Sequence, residues 1–248
     1  MLTQRRCFAL RCAMVLAASY CLVGAPSSAS ALNITAAGDP IGGGNLAGSI
    51  FTIGSPDGGG GTDLWPTTET PANSIDGNSA TKYLNRIATN SGYIVTPAFG
   101  VSKVTGIAFT TANDTISRDP ASYALYGSNT VSASSTVNAT FNLSDFTMIS
   151  SGNIALSDTR LDSTVSVAFA NALNYTTYLL VFPTTKGTVN SNSDGTMQIA
   201  DAILTGTGAI SGGTTWASTS DTSWANSANW NPPSIPSGQG QSVSFGVT

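Results

Sequence analysis

The sequence contains no histidine, and its three cysteines, Cys7, Cys12 and Cys21, all lie near the amino terminus. The lack of histidine excludes Ser-His-Asp and Cys-His nucleophilic machinery, histidine general bases, and the usual zinc and copper sites. Oxygen atoms are the metal ligands that remain. The composition therefore favours calcium over transition metals, if the protein binds a metal at all.

Charged residues are scarce, at 9% of the chain against about a quarter in average proteins. Glutamate occurs once, at Glu69, and lysine three times, so the chain is poor in strong helix formers. No amphipathic helical stripe of useful length occurs after the first 31 residues. Thr, Ser and Asn supply the polarity instead, as is typical of extracellular β-proteins.

The first 31 residues have the pattern of a signal peptide. Arg5, Arg6 and Arg11 precede an apolar run over residues 13–25, and Ala29 and Ala31 provide the small residues of a cleavage site. Thirteen apolar residues are too few to span a bilayer, which needs about 20. We therefore predict cleavage after Ala31, no membrane span in the mature chain, and a secreted or cell-surface location. The mature chain then has no cysteine and forms no disulfide.

The predicted mature chain is acidic. Without the three leader arginines, six basic residues remain against 13 acidic ones, which gives a net charge of −7. Phosphate binding requires a clustered basic face. We therefore expect no nucleic-acid partner.

From about residue 35 to 208 the chain alternates short apolar runs with turn residues, the pattern of β-strands. In residues 164–170, Val165, Val167 and Phe169 share one face, which is the period-two signal of a half-buried strand. Many short strands with polar turns predict an all-β sandwich or barrel over residues 32–208. The predicted strands are residues 92–99, 104–112, 122–128, 146–150, 164–170, 177–183 and 197–206.

Residues 209–248 differ in composition from the preceding part. Trp216, Trp224 and Trp230 fall within fifteen residues, and prolines follow them. This segment is too short to bury a core of its own. We interpret it as a linker and a short Trp-rich β segment, which either begins a longer repeat or docks on the preceding domain.

The stretch ANSIDGNSATKYLN, residues 72–85, concentrates oxygen-bearing side chains around the turn formers Asp76, Gly77 and Asn78. A bare turn explains those three residues by themselves. Ser74 and Thr81 add oxygens at short intervals on the same segment, and a calcium loop needs such spacing to wrap its ion. Both interpretations stay open from these residues alone.

Several motifs together resemble the discoidin, or coagulation-factor type C, domain of the galactose-binding-like superfamily, particularly as it occurs in exported bacterial surface proteins. They are ANSIDGNSATKYLN, GYIVTPAFG, GIAFTTANDTISRDPASYALYGSN, SGNIALSDTR, YLLVFPTT and MQIADAILTG, in this order along the chain. The resemblance implies a jelly-roll β-sandwich whose loops at one end bind glycans and which carries a structural calcium ion.

The resemblance also implies which residues hold the calcium ion. Relatives have a Glu where this chain has Asp201, and a Trp after the loop where it has Tyr83. We expect the shorter Asp201 to close the site weakly or through water, and the Tyr83 ring to fill the core beneath the loop, with its hydroxyl bonded. The implied metal ligands are Ser74, Asp76, Asn78, Thr81 and Asp201.

Sugar binding requires an aromatic face and a few planar hydrogen-bonding groups. Galactose-binding relatives often use a histidine, which this chain lacks, so the sequence does not specify the sugar. An alternative for Arg118 and Asp119 is that they pair with each other at the start of the 122–128 strand. The residues predicted to contact a ligand are Trp65, Arg86, Tyr93, Asn113, Asp114, Arg118 and Asp119.

Three functions remain open from the sequence. The first is a non-catalytic extracellular carbohydrate-binding or adhesion module with structural calcium, whose partner is a glycan or cell-surface polysaccharide. The second is a structural spacer that binds no small ligand, and the third is a glycoside hydrolase that uses two carboxylates. The Trp-rich tail resembles the start of an autotransporter-like passenger repeat, which implies the remainder of a longer surface protein as a possible partner.

Overall fold

The fold was analysed in a computed structural model, which describes residues 31–208, 214–216, 223, 225–226, 229–231 and 243–245. The predicted signal peptide therefore lies outside the described residues, apart from Ala31. The strands are β1 (Leu32–Asn33), β2 (Ile41–Ala47), β3 (Ile50–Ile53), β4 (Ser55–Pro56), β5 (Asp63–Trp65), β6 (Tyr83–Asn85), β7 (Ser91–Val95), β8 (Ser102–Thr110), β9 (Ser122–Ser128), β10 (Thr140–Asn142), β11 (Thr147–Asn153), β12 (Val165–Ala168), β13 (Thr177–Phe182), β14 (Met197–Ile199), β15 (Asp201–Gly208), β16 (Thr214–Trp216), β17 (Trp230–Asn231) and β18 (Val243–Phe245).

Helices are few and short in the described residues. Three 3-10 turns cover Pro71–Ile75, Ile116–Arg118 and Leu143–Asp145, and one α-helix, α1, covers Lys186–Val189. No helix in these ranges has the length and apolarity needed to cross a membrane.

Two antiparallel sheets form the domain. One has seven strands in the order β10-β3-β2-β7-β13-β9-β11, and the other has four in the order β1-β15-β8-β12. The prediction of an all-β jelly-roll sandwich followed by a short Trp-rich β segment is confirmed. Each of the seven segments predicted as strands overlaps at least one strand, and residues 197–206 contain β14 and most of β15.

The main core lies between the two sheets, and the alternation of side chains along the strands builds it. On β13, Tyr178, Leu180 and Phe182 belong to this core and are fully buried. Phe109 and Leu204 reach it from the four-stranded sheet. The packing of these large side chains stabilises a domain whose described residues contain no cysteine.

The seven-stranded sheet is buried on its second face as well. Leu179 and Val181 of β13 point to this face, together with Ile94 of β7. Residues 131–146 cover them with partly buried side chains that include Phe141 and Phe146. Strands buried on both faces have continuous apolar runs, which explains the sequence TYLLVF in β13.

The Trp-rich segment forms a small three-stranded sheet. β16 pairs antiparallel with β17 and parallel with β18. The rings of Trp216 and Trp230 meet edge to face, with centroids 5.0 Å apart, and Trp230 is 2% exposed. Whether this sheet begins a passenger-type repeat stays a prediction.

Candidate functional sites

The loop after the first 3-10 turn curls around the carboxylate of Asp76. The amide of Asn78 donates to Asp76 Oδ1 at 2.8 Å, and the Thr81 hydroxyl donates to Asp76 Oδ2 at 2.7 Å. Gly77 has a φ of 70°, in the left-handed region that glycine adopts without strain. These contacts produce the turn that the sequence predicted at this point.

Asp201, the first residue of β15, lies against this loop. The amide of Gly77 donates to Asp201 Oδ1 at 2.9 Å across 124 residues of sequence. Burial raises the pKa of Asp201 and the negative charge of Asp76 raises it further, while the Gly77 hydrogen bond opposes both. Neither carboxylate forms an ion pair with a basic side chain in the described residues. The two acids are therefore close together without a positive partner.

The donor set of this site fits a hard divalent cation. Asp76, Thr81 and Asp201 supply two carboxylates and a hydroxyl, which are the oxygen ligands that calcium prefers. Within the described ranges no three Asp, Glu, His or Cys side chains form a metal-binding group, so hydroxyl and backbone oxygens would have to complete the shell. We refer to Asp76, Thr81 and Asp201 as the acid site.

The other two predicted ligands are engaged elsewhere in the same loop. The Ser74 hydroxyl is buried and donates to the Pro71 carbonyl at 2.7 Å. The Asn78 side-chain oxygen accepts from the Ala80 amide at 3.1 Å. Their metal role stays a prediction, and these contacts show that both side chains also shape the loop.

Tyr83 follows the loop and occupies the core beneath it, as expected. Its ring has no exposed area. Asn85 Nδ2 donates to the Tyr83 hydroxyl at 2.7 Å, and that hydroxyl donates to the Gly92 carbonyl at 3.3 Å. Burial raises the pKa of Tyr83 far above its ordinary value, although the Asn85 hydrogen bond acts in the opposite direction.

Asp119, one of the predicted ligand residues, is fully buried in an ion-pair cluster. Arg160 donates to both of its carboxylate oxygens, at 2.8 and 2.6 Å, and Lys186 of α1 lies 3.2 Å away. Arg118 pairs instead with Asp194 at 2.6 Å. The alternative in which Arg118 and Asp119 pair with each other is therefore wrong, because each finds a partner on a different loop.

Asp114 belongs to a second ion-pair group around the buried Lys82. The Lys82 ammonium lies 2.7 Å from Asp114 and 3.6 Å from Glu69. Burial tends to raise the pKa of Asp114, but the hydrogen bonds from Lys82 and Gln198 and the charges of Lys82 and Arg118 together lower it. Asn113, next to Asp114, is exposed.

Tyr93 and Arg86 have very different surroundings. Tyr93 has no exposed area, and its hydroxyl donates to the Ala202 carbonyl in the main core. Arg86 is exposed and forms two hydrogen bonds to Asp57, at 3.1 and 2.6 Å. The Asp57 amide in turn donates to the Trp65 carbonyl at 2.8 Å, so Arg86 and Trp65 belong to one neighbourhood.

Trp65 lines a groove of about 230 Å³ between β2 and the first 3-10 turn. We call it the Trp65 groove. Trp65 itself is 6% exposed and packs edge to face on Tyr83, with ring centroids 6.0 Å apart. Further residues that line the groove are Gly42, Gly43, Thr70, Pro71, Ala72 and Ser135.

Sequence reasoning found Trp65 but not the rest of this groove. Ser135 lies in a stretch of Ser, Ala, Thr and Val that has no distinguishing motif, and only the fold brings it to the groove. Gly42 and Gly43 lie in a glycine run that resembles a loop. The proximity of these residues is a property of the tertiary structure and has no local sequence signal.

Comparisons with known proteins give structural resemblances only. No protein-family model and no curated protein matches the chain. The family 32 carbohydrate-binding module of Clostridium perfringens NanJ, solved with galactose, is 15% identical over 57% of this chain and 88% of its own, with a TM-score of 0.40. A fucolectin from striped bass (Morone saxatilis) serum is 12% identical, with coverages of 75% and 52% and a TM-score of 0.45.

A fucose-binding module of Streptococcus pneumoniae is also similar. It is 10% identical over 70% of this chain and 94% of its own, with a TM-score of 0.42. Identities and TM-scores at this level assign no ligand to the present chain. The case for a function therefore depends on the groove and on the acid site themselves.

Proposed function

We propose that this chain is a non-catalytic carbohydrate-binding module and that a saccharide lies in the Trp65 groove. The observation that carries the proposal is a neutral groove that combines an indole side chain with hydroxyl groups. Its lining residues include Trp65, Thr70 and Ser135 and have no charged side chain. Sugars present apolar C–H faces and many hydroxyls, so an aromatic residue beside small polar groups suits them.

The size of the groove supports a small saccharide. Its volume of about 230 Å³ lies below the range of about 300 to 1,000 Å³ of drug-sized ligand pockets. One or two sugar rings therefore fit better than a long chain bound along its length. Arg86 and Asp57 pair close to the Trp65 main chain and are exposed, and we propose that they hydrogen-bond sugar hydroxyls that extend out of the groove.

The groove can be tested with a blocking variant at its rim. Ser135 is exposed, so Ser135→Tyr places a bulky ring in the groove without disturbing the core. Ser132→Tyr, three residues earlier and also exposed, is the matched control. Isothermal titration with galactose, N-acetylgalactosamine and fucose should give binding to the wild type and Ser132→Tyr, and at least tenfold weaker binding to Ser135→Tyr.

Two results would oppose this assignment. Equal affinity of the two tyrosine variants would place the sugar elsewhere. If no saccharide of a broad glycan array binds at high protein concentration, the spacer function is favoured. Turnover of aryl glycosides that one Asp substitution abolishes would contradict the non-catalytic part of the proposal.

We further propose a structural calcium ion at the acid site, held by Asp76, Thr81 and Asp201. Two carboxylates without a basic partner repel each other, and a cation relieves that repulsion. Because the ion would join an early loop to the last strand of the sandwich, it would stabilise the folded state of a domain without disulfides. Its role would be structural, and a glycan on a cell surface or in the surrounding medium would be the functional partner of this exported module.

A thermal melt tests the calcium proposal. Calcium at a hundredfold excess over its Kd should stabilise the wild type by about 2.7 kcal/mol relative to chelator. Asp76→Ala should abolish this shift, while Asp145→Ala, at an exposed acid on another loop, should keep it. Because the pKa of Asp201 is raised, protons compete with the ion, and the shift should be smaller at about pH 5 than at about pH 7. An unchanged melting temperature in chelator at neutral pH would rule the ion out.

A further inference from the structure

A second cavity lies apart from the two sites described above. It has a volume of about 250 Å³ and is formed by residues 33–39, between β1 and β2, and the turn before β8. One water occupies about 30 Å³ of liquid, so the cavity has room for a small organic molecule. We call it the Asp39 cavity. Its lining includes Asn33, Ile34, Ala36, Asp39, Ala98 and Phe99.

The carboxylate of Asp39 is fixed in the wall of this cavity. Its Oδ2 accepts the Ala36 amide at 2.9 Å, and its Oδ1 accepts the Ala98 amide at 2.8 Å. Asp39 thereby joins two turns and is 7% exposed. Each oxygen keeps a lone pair that no hydrogen bond in the described residues uses, because a carboxylate oxygen accepts at about two positions.

No basic side chain in the described part of the chain forms an ion pair with Asp39. Lys103 has no ion pair there, and the other basic residues are paired with other acids, namely Lys82, Arg86, Arg118, Arg160 and Lys186. The acids beside those basic side chains are neutralised. The buried carboxylate of Asp39 is balanced only by the dipoles of the two backbone amides that donate to it. A buried charge without a partner is unfavourable, and a cationic ligand would supply the missing charge.

Phe99 provides the aromatic component of the cavity. It is half-buried, packs against the main core, and follows directly after Ala98, whose amide holds Asp39. The turn closes at Gly100, which has a φ of 84°. An aromatic face attracts a cation through its quadrupole, and the methyl groups of Ala36 and Ala98 suit the carbon substituents of an organic cation.

We propose that the Asp39 cavity binds a small organic ammonium group of the choline type. The carboxylate supplies the charge, Phe99 supplies a cation–π contact, and the alanine and isoleucine side chains surround the substituents. This site is independent of the saccharide proposal, because the Trp65 groove has no charged lining residue and the Asp39 cavity has one. The two cavities therefore differ in the ligand chemistry that they accept.

The direct experiment compares choline with 3,3-dimethyl-1-butanol, which has the same shape without the charge. Both are titrated into the ¹⁵N-labelled protein, and amide chemical shifts are followed. Choline should shift the amides of Ala36, Ala98 and Phe99, and the neutral alcohol should bind at least tenfold more weakly. Equal responses to the two compounds, or no response at these amides, would overturn the proposal.

Substitutions at Phe99 separate binding from stability. Phe99→Leu keeps an apolar side chain but removes the ring quadrupole, and it should weaken choline binding about three- to fivefold. Phe141→Leu, at another half-buried phenylalanine, is the matched control and should leave binding unchanged. Asp39→Asn should abolish choline binding, but it also alters two backbone hydrogen bonds. If this variant unfolds, the comparison of Phe99→Leu with Phe141→Leu still decides the test.

The ammonium group could come free in solution or on a lipid headgroup. Sedimentation with phosphatidylcholine vesicles, with phosphatidylglycerol vesicles as the control, distinguishes these sources. Sedimentation with phosphatidylcholine alone would assign a headgroup, and choline binding without sedimentation would assign a free solute. If the folded protein neither binds choline nor sediments with phosphatidylcholine vesicles, the proposed ammonium site is rejected, and the saccharide proposal is unaffected.

Discussion

At the scale of residues, two groups of acidic side chains have contrasting surroundings. Asp114, Asp119, Asp158 and Asp194 form ion pairs with basic residues. Asp76 and Asp201 lie close together without a basic partner, and Asp39 lies in its own cavity without one. The ion-paired acids join loops to one another, and we expect cations to bind at Asp76, Asp201 and Asp39.

The buried Asp119–Arg160 pair should contribute far more to stability than the exposed Asp57–Arg86 pair. Asp119 is fully buried, whereas the side chains of Arg86 and Asp57 are 45% and 41% exposed. Arg160→Ala leaves a buried carboxylate with Lys186 alone and should lower the free energy of unfolding by about 3 kcal/mol. Arg86→Ala should lower it by less than about 1 kcal/mol. Urea unfolding measures both, and equal losses would show that burial does not decide the difference.

Asp114 should give the protein an acid-sensitive contribution to stability. Burial alone would raise the pKa of its carboxyl, but the hydrogen bonds and positive charges around it, chiefly from Lys82, together lower this pKa in the folded state. A lowered pKa means that the stabilisation is present above the unfolded pKa and is lost as the pH falls through the folded value. The urea midpoint of wild type should therefore fall more steeply below about pH 4 than that of Asp114→Asn. Parallel curves would contradict the assignment.

The sequence indicated individual residues well where a local motif surrounded them. The turn at Asp76-Gly77-Asn78 and the core position of Tyr83 both follow from neighbouring residues. The partners of Asp119 could not be predicted in the same way, because Arg160 and Lys186 lie 41 and 67 positions away with no pattern that connects them. Tyr93 was predicted to contact a ligand, but its side chain is fully buried within strand β7.

At the scale of elements, β2 is the clearest case in which composition misleads. Its sequence IGGGNLA has the low strand propensity of glycine, and it was not among the predicted strands. It is nevertheless an interior strand of the large sheet, between β3 and β7. The strands β9 and β13 could be predicted, because each is a short apolar run bounded by turn residues.

Tertiary crowding explains the glycines of β2. A Cβ at Gly43 would overlap Pro71 and come within 2.6 Å of the Tyr83 hydroxyl. The close approach of the 3-10 turn to this strand forms one side of the Trp65 groove. Pro71 and Tyr83, which leave no room for a Cβ at position 43, are 28 and 40 residues away in sequence. The residues around Gly43 therefore could not have predicted that glycine is needed there.

Gly43→Ala should therefore destabilise the protein by about 1 to 3 kcal/mol through overpacking. Gly152→Ala in β11 is the matched control, since its Cβ would meet nothing closer than 3.4 Å. This second change should be neutral or stabilise slightly, because alanine restricts the unfolded chain more than glycine does. Thermal melts of both variants provide the measurement. Equal stability of the two variants would contradict the crowding at Gly43.

At the scale of the whole molecule, two packed sheets support loops that differ in chemistry. The mature chain predicted from the sequence has a net charge of −7, and five of its six basic residues are engaged in ion pairs. The expectation that nucleic acid is not a partner stays a prediction. The fold class could be predicted from strand patterns, whereas the groove could not, because distant segments form it.

The central claim is that a saccharide occupies the Trp65 groove. The most direct measurement is a map of amide and indole chemical shifts of the protein in buffer with added calcium, titrated with galactose, N-acetylgalactosamine or fucose, whichever binds most tightly. We predict the largest changes at the Trp65 indole N–H and at the amides of Gly42, Gly43, Ala72 and Ser135. Changes confined to residues 113–119, or no change at saturating sugar, would contradict the account.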